Sequence, residues 1–204
     1  MSDKTLRNEP IRIGTGTVAV HNIFDPLPAF MKEADCVFTD PPWNLAMLNN
    51  FSNRAGVPKS SSFSVFTERL FACIAEIDPV TAFVEIGKQH LSDFLVAMDK
   101  IFPEVTFYDS FYYHRPVNKS FILQGTKIDG SRVPFRCPLD GIDEDDACKW
   151  VCQNLPFDCI GDLCMGKGAT GFYANEAGKR FVGTEVNAER LAVLSERIRT
   201  GRKK

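Results

Sequence analysis

The sequence has no apolar run near the roughly 18 residues that a membrane-crossing helix needs, and its polar residues 1–12 lack the apolar stretch of a signal peptide. A cytoplasmic protein with no membrane partner is expected. There is no Cys-x-x-Cys pair. The seven cysteines are odd in number, and Cys36, Cys73, Cys159 and Cys164 lie in apolar stretches, which points to reduced, buried thiols. Cys137, Cys148, Cys152 and Cys159 do not have the spacing of a structural zinc site, so no metal is expected. Basic excess is also missing: 24 Lys and Arg stand against 26 Asp and Glu, so any nucleic-acid contact must use a local patch. The three histidines, His21, His90 and His114, belong to no serine or cysteine pattern, and no hydrolase triad is visible. There is no internal repeat. What remains, 204 residues with 44% hydrophobic and 25% charged, is enough for one folded domain that needs no disulfide staples.

Short β-branched and aromatic runs alternate with helical patterns, as in an α/β domain with a mainly parallel sheet. Strands are expected at 17–20, 36–39, 81–86, 105–112, 120–123, 157–163 and 181–186, and helices at 66–77, 89–101, 144–153, 169–177 and 188–199. Glu144, Asp145 and Asp146 read as a helix N-terminus favoured by its dipole, not as metal ligands. Two long polar segments, 44–64 and 114–143, resist assignment, and loops of that length are usually functional or disordered.

Near the C-terminus, the run from Asp162 to Gly171 follows an apolar strand and opens a helix, with Gly166, Gly168 and Gly171 in a G-x-G-x-x-G arrangement. Glycines let the backbone turn tightly beside a ligand. Glu185 ends the next strand, where a carboxylate can bond ribose hydroxyls. The pair points to a cofactor containing adenosine. Too few residues follow this loop to build a sheet, so the remaining strands must come from upstream, in an order permuted relative to ordinary Rossmann domains.

Upstream, the apolar strand at 36–39 ends in Asp40-Pro41-Pro42-Trp43. Proline fixes φ and has no N–H, so this corner is stiff and extended, and it holds the Asp40 carboxylate and the Pro41 carbonyl as ready acceptors. Such a pair can take both hydrogens of an exocyclic amine, and Trp43 could stack on the ring that carries it.

With both landmarks in place, the sequence resembles the S-adenosylmethionine-dependent amino-methyltransferases, in particular the DNA N6-adenine and N4-cytosine family in its permuted order. The resemblance runs from about residue 17 to about residue 198. It rests on Asp40 to Trp43, on Met165 to Gly171 and on Gly178 to Asn187. It implies a Rossmann-like methyltransferase fold: a seven-stranded, mostly parallel sheet with helices on both faces, in the family's strand order 3-2-1-4-5-7-6. In that count, 17–20 is the third strand and 157–163 the first. By the same analogy Asn22, Asp162, Met165, Gly166, Gly168, Thr170, Gly171, Glu185 and Asn187 hold the cofactor, while Asp40, Pro41, Pro42 and Trp43 hold the target base.

The implied activity is methyl transfer to the exocyclic amine of a flipped DNA base, adenine N6 ahead of cytosine N4. Three features depart from the family pattern. Asn22 stands where many members have aspartate, Lys167 replaces a common serine, and Leu163-Cys164 replaces a frequent Pro-Phe. Tryptophan at position 43 is better known in the related mRNA adenine enzymes, so RNA stays open as acceptor. A protein side-chain amide as substrate and a catalytically silent, nucleic-acid-binding version of the fold are the other readings. Recognition would fall to 44–64, with Arg54 and Lys59, and to 114–143, with Arg115, Lys119, Lys127, Arg132 and Arg136 against Asp129 and Asp140. So little chain implies a short or degenerate site unless a homodimer or another recognition partner contributes.

Overall fold

The computed structural model describes residues 8–112, 114–128 and 139–203. In chain order the elements are β1 (Ile11–Ile13), β2 (Gly16–Val20), β3 (Cys36–Thr39), α1 (Leu45–Arg54), α2 (Phe63–Ile77), β4 (Thr81–Gly87), α3 (Leu91–Asp99), β5 (Glu104–Tyr112), β6 (Arg115–Thr126), β7 (Ile142–Asp143), α4 (Glu144–Asn154), β8 (Cys159–Asp162), α5 (Ala169–Glu176), β9 (Arg180–Glu185) and α6 (Ala188–Thr200). They form one sheet in the order β1-β2-β9-β8-β3-β4-β6-β5-β7. From β2 to β5 this is the expected seven-strand order. The sheet has nine strands, however, because two pieces too short to show a period join its edges. β1 folds back antiparallel on β2, and β7 pairs with β5.

Strands β2, β9, β8, β3 and β4 run parallel, so their carboxyl ends share one edge of the sheet. Parallel strands covered on both faces read as continuous apolar runs, and β2, β3 and β8 are buried throughout. Side chains alternate between the two layers. Val37, Ala82, Val84 and Ile86 pack with α2 and α3, whereas Phe38, Phe83 and Ile122 pack with α4, α5 and α6. Glu85 shares the parity of Phe83 and so belongs to the second layer.

Two segments that resist assignment in the sequence contain regular structure. The segment 44–64 contains α1, which starts where the Asn44 side chain accepts a hydrogen bond from the Met47 N–H at 2.9 Å. Its run of asparagines and serine hides the helix because those residues favour caps and turns over helix interiors. The segment 114–143 begins with β6, half of a long hairpin with β5. β4 pairs with β6 only as far as Gly87 opposite Ser120, so residues 115–119 project past the carboxyl edge of the sheet. Asp129, Arg132, Arg136 and Cys137 lie outside the described residues, while the other six cysteines are free thiols. Among the described residues no helix is long and apolar enough to cross a membrane.

Candidate active site

Above the carboxyl edge lies a cavity of about 1050 Å³, at the upper end of the range for a single small ligand. It has room for a nucleoside-sized molecule and a second ring beside it. The glycine loop lines one end and the Asp40 corner the other, with Asp162 between them.

At the glycine end, charge is met by backbone. The Glu185 carboxylate accepts the Gly166 N–H at 2.7 Å and the Asn187 N–H at 2.9 Å, which fixes it at the end of β9 although burial raises its pKa. Gly166 sits at φ 54°, the left-handed region, and a Cβ there would come within 3.2 Å of Arg190. Met165 is buried beneath the loop and lines the cavity. Asp162 accepts from the Thr39 hydroxyl at 2.9 Å and from the Cys164 N–H at 3.0 Å, and burial still pushes its pKa up to about 7. Asn22 lines the far wall, its side-chain oxygen accepting from the Phe24 N–H at 3.3 Å. Thr170 is buried in the floor.

Three residues expected at the cofactor serve packing or capping, and none of them lines the cavity. A Cβ on Gly168 would lie 2.7 Å from Leu194, and one on Gly171 would lie 2.8 Å from the Phe181 ring. These glycines let α5 sit close to α6 and β9. The Asn187 side chain caps α6 by accepting from the Glu189 N–H at 2.8 Å.

The Asp40 end is built from side chains. Its carboxylate accepts from Trp43 Nε1 at 3.0 Å and from the Tyr112 hydroxyl at 3.2 Å. Burial pushes the Asp40 pKa up to about 6, while both hydrogen bonds hold it down. Pro41 and Pro42 are buried and line the cavity. The Trp43 ring instead covers Gly87, where a Cβ would meet it at 2.8 Å, and turns edge-on to Tyr112 with centroids 5.0 Å apart. It donates to Asp40 and is not among the residues that line the cavity, because the smallest residue of β4 leaves a slot beside the corner.

Sequence reasoning passed over several other wall residues: Glu85, Tyr112, His114, Glu144, Arg190 and the buried His21. Glu85 carried a signal, since it is a carboxylate inside the apolar run Thr81–Gly87. Burial raises its pKa well above the usual range, and burial with neighbouring Asp143 raises Glu144 to about 8. The Arg190 guanidinium lies over the Phe51 ring at 4.9 Å and bridges α6 to α1 across the opening. His114, Asp143 and Asp145 bring their donor atoms within 4.8 Å of one another. Asp143 also caps α4, and Asp145 pairs with Lys203 and accepts from the Tyr173 hydroxyl, so these carboxylates already have partners.

No protein-family model matches this sequence, and no curated protein matches it. Solved structures do. TTHA0409 of Thermus thermophilus, provisionally named a DNA modification methylase, superposes with TM-score 0.61 at 18% identity, over 83% of this chain and 88% of that one. The fold is that of a Rossmann-like methyltransferase. The complex of M1.HpyAVI with SAM matches at TM-score 0.60 and 14% identity, over 90% of this chain and 98% of that one. The PvuII DNA methyltransferase, cytosine-N4-specific, matches at TM-score 0.60 and 15% identity, over 92% and 86%.

Proposed function

We propose that the protein is an S-adenosylmethionine-dependent DNA methyltransferase acting on the exocyclic amine of a base, adenine N6 in the first place. One observation carries this reading: a single cavity holds a backbone-anchored Glu185 at one end and the proline-stiffened Asp40 at the other. The structural neighbours support it, since TTHA0409 was also solved with S-adenosyl-L-methionine, at TM-score 0.61 and 16% identity.

The residues present fit this cofactor. Gly166 turns the loop beside the cavity at a left-handed φ of 54°, and each carboxylate oxygen of Glu185, which accepts one backbone N–H, keeps a lone pair that ribose hydroxyls would use. When bound, S-adenosylmethionine supplies an electrophilic methyl group, which an amine nitrogen takes as the carbon–sulfur pair stays with sulfur and one amine proton is released. The chain's own residues then have to position the amine and stabilise its gain of positive charge. Asp40, held on two sides by Trp43 and Tyr112, keeps lone pairs for the amine hydrogens, and the Pro41 carbonyl adds a neutral acceptor. A carboxylate suits developing positive charge better than a serine at this place would, and on this ground adenine N6 stands ahead of cytosine N4.

A base inside a duplex cannot reach this corner, so it must flip out, at a cost of a few kcal/mol. The β5–β6 hairpin overhangs the site with exposed Arg115 and Lys119, suited to phosphate contacts. Incubating the protein with random-sequence duplex DNA and methyl-labelled S-adenosylmethionine, followed by nucleoside mass spectrometry, tests the reading. N6-methyladenine is the expected product. N4-methylcytosine alone would move the assignment to cytosine, and methylated RNA beside untouched DNA would overturn the DNA substrate.

A further inference from the structure

We propose that Glu85 is a specificity residue of the base site, a neutral carboxylic acid that donates a hydrogen bond to the unprotonated ring nitrogen next to the target amine. The proposal rests on the methyltransferase reading above and adds a determinant for the base itself.

Glu85 sits inside the apolar strand β4 with no exposed surface, and neither of its carboxyl oxygens has a hydrogen-bond partner. It borders the cavity. The pairing of Thr39 with Val84 sets Glu85 next to Asp40 along the shared carboxyl edge, on the layer occupied by Phe38 and Phe83. The groups facing it are the Asp40 carboxylate from the end of β3, the Ser120 hydroxyl from β6, and Asp143 and Glu144 at the start of α4. Of these, only the hydroxyl favours the charged form, and it does not close a well-formed bond.

Leaving a buried polar group unpaired is costly, so such a group in a ligand cavity implies a partner that arrives with the ligand. A carboxyl surrounded by carboxylates keeps its proton, and a protonated carboxyl is a donor. With the amine hydrogens on Asp40, the hydroxyl of Glu85 falls to the neighbouring ring atom. Adenine presents N1 beside its N6 amine, and cytosine presents N3 beside its N4 amine, both as bare acceptors. An aromatic amine with carbon at that position would leave the acid unpaired.

The test compares random-sequence duplex pools carrying natural adenine or 1-deazaadenine, and natural cytosine or 3-deazacytosine, with methylation counted per target base. Loss of the ring nitrogen also weakens pairing and eases extrusion, so slower turnover cannot come from harder flipping. The wild type should methylate the deaza pool of its target base about tenfold more slowly or worse. Glu85→Leu should slow on the natural pool by a similar factor and cease to distinguish the two pools. Glu85→Gln, a permanent neutral donor, should retain activity and keep it at alkaline pH where the wild type declines. Infrared spectra of the free protein at neutral pH supply a readout independent of turnover: a protonated-carboxyl band present in the wild type should be missing in Glu85→Gln. Equal turnover of natural and deaza pools by the wild type, or identical carboxyl bands in the two proteins, would overturn this proposal alone. A wild type that methylates neither natural pool would overturn the methyltransferase reading and this proposal with it.

Discussion

The two ends of the cavity solve the problem of a buried carboxylate in opposite ways. At the glycine end, Glu185 is tied to two backbone amides, one from Asn187 just past β9 and one from Gly166 of the glycine loop. At the other end, Asp40 is met by Trp43 and Tyr112, and the nearby carboxyls of Glu85 and Glu144 each leave buried oxygen without a partner. Backbone amides make a site whose charge is fixed in advance. Carboxyls left unpaired make one whose charge state depends on pH and on what enters it, a common property of places where chemistry occurs.

If that contrast is functional, the largest effect belongs to Asp40. Asp40→Ala should cut methyl transfer by about 10²–10³-fold or more while leaving S-adenosylmethionine affinity within about tenfold, measured by labelled-methyl assay and by calorimetry. Near wild-type turnover from a folded variant would remove Asp40 from the mechanism. The matching change at the other end is smaller and affects binding: Glu185→Ala should weaken cofactor affinity by about tenfold to a hundredfold, the worth of one or two charge-assisted hydrogen bonds. Unchanged affinity would mean that Glu185 merely ties the loop to β9.

The same contrast explains what the sequence made legible. The glycine end is local in the chain, so spacing displayed it: a strand, three glycines and an acidic strand end in register. The Asp40 corner was legible only beside that loop, since a strand followed by Asp-Pro-Pro is by itself a common turn. Tyr112, Glu144 and Arg190 reach the cavity from β5, α4 and α6, and no local pattern ties those segments to residue 40. Nor did any local pattern show that the Trp43 indole fills the slot above Gly87. The order of the seven central strands followed from the resemblance, whereas β1 and β7 were too short for a period-2 pattern to register.

Trp43 offers a smaller, sharper test, because a stacking platform and an orienting donor predict different kinetics. The Nε1–H bond stabilises the Asp40 carboxylate against a burial that pushes its pKa up to about 6. Trp43→Phe preserves an aromatic ring and removes the donor. The acid limb of kcat/KM should therefore move to higher pH, by up to about one unit, the worth of roughly one hydrogen bond. The change at alkaline pH should be modest. An unmoved limb with a raised KM would return Trp43 to the stacking role.

The smallest expected effect concerns the free protein and comes from the sign of the shifts at and near the Asp40 end. Asp40, Asp162 and Glu144 titrate near 6, 7 and 8, and Glu85 higher than its usual range, each displaced upward chiefly by burial. A carboxyl whose folded pKa exceeds its unfolded value stabilises the fold fully below the unfolded pKa, near 4, and loses that stability as pH rises through the folded pKa. The melting temperature should therefore fall between about pH 5 and pH 8, by about 5 °C or more. Glu185 is also raised by burial, but its amide hydrogen bonds offset part of that shift, so it should contribute less of the slope. Glu85→Gln should flatten the slope by removing one proton-binding group, and Glu185→Gln should flatten it less. A melting temperature that is level or rising across this window, or an equal flattening by both variants, would mean that the two ends of the cavity hold their charges in the same way.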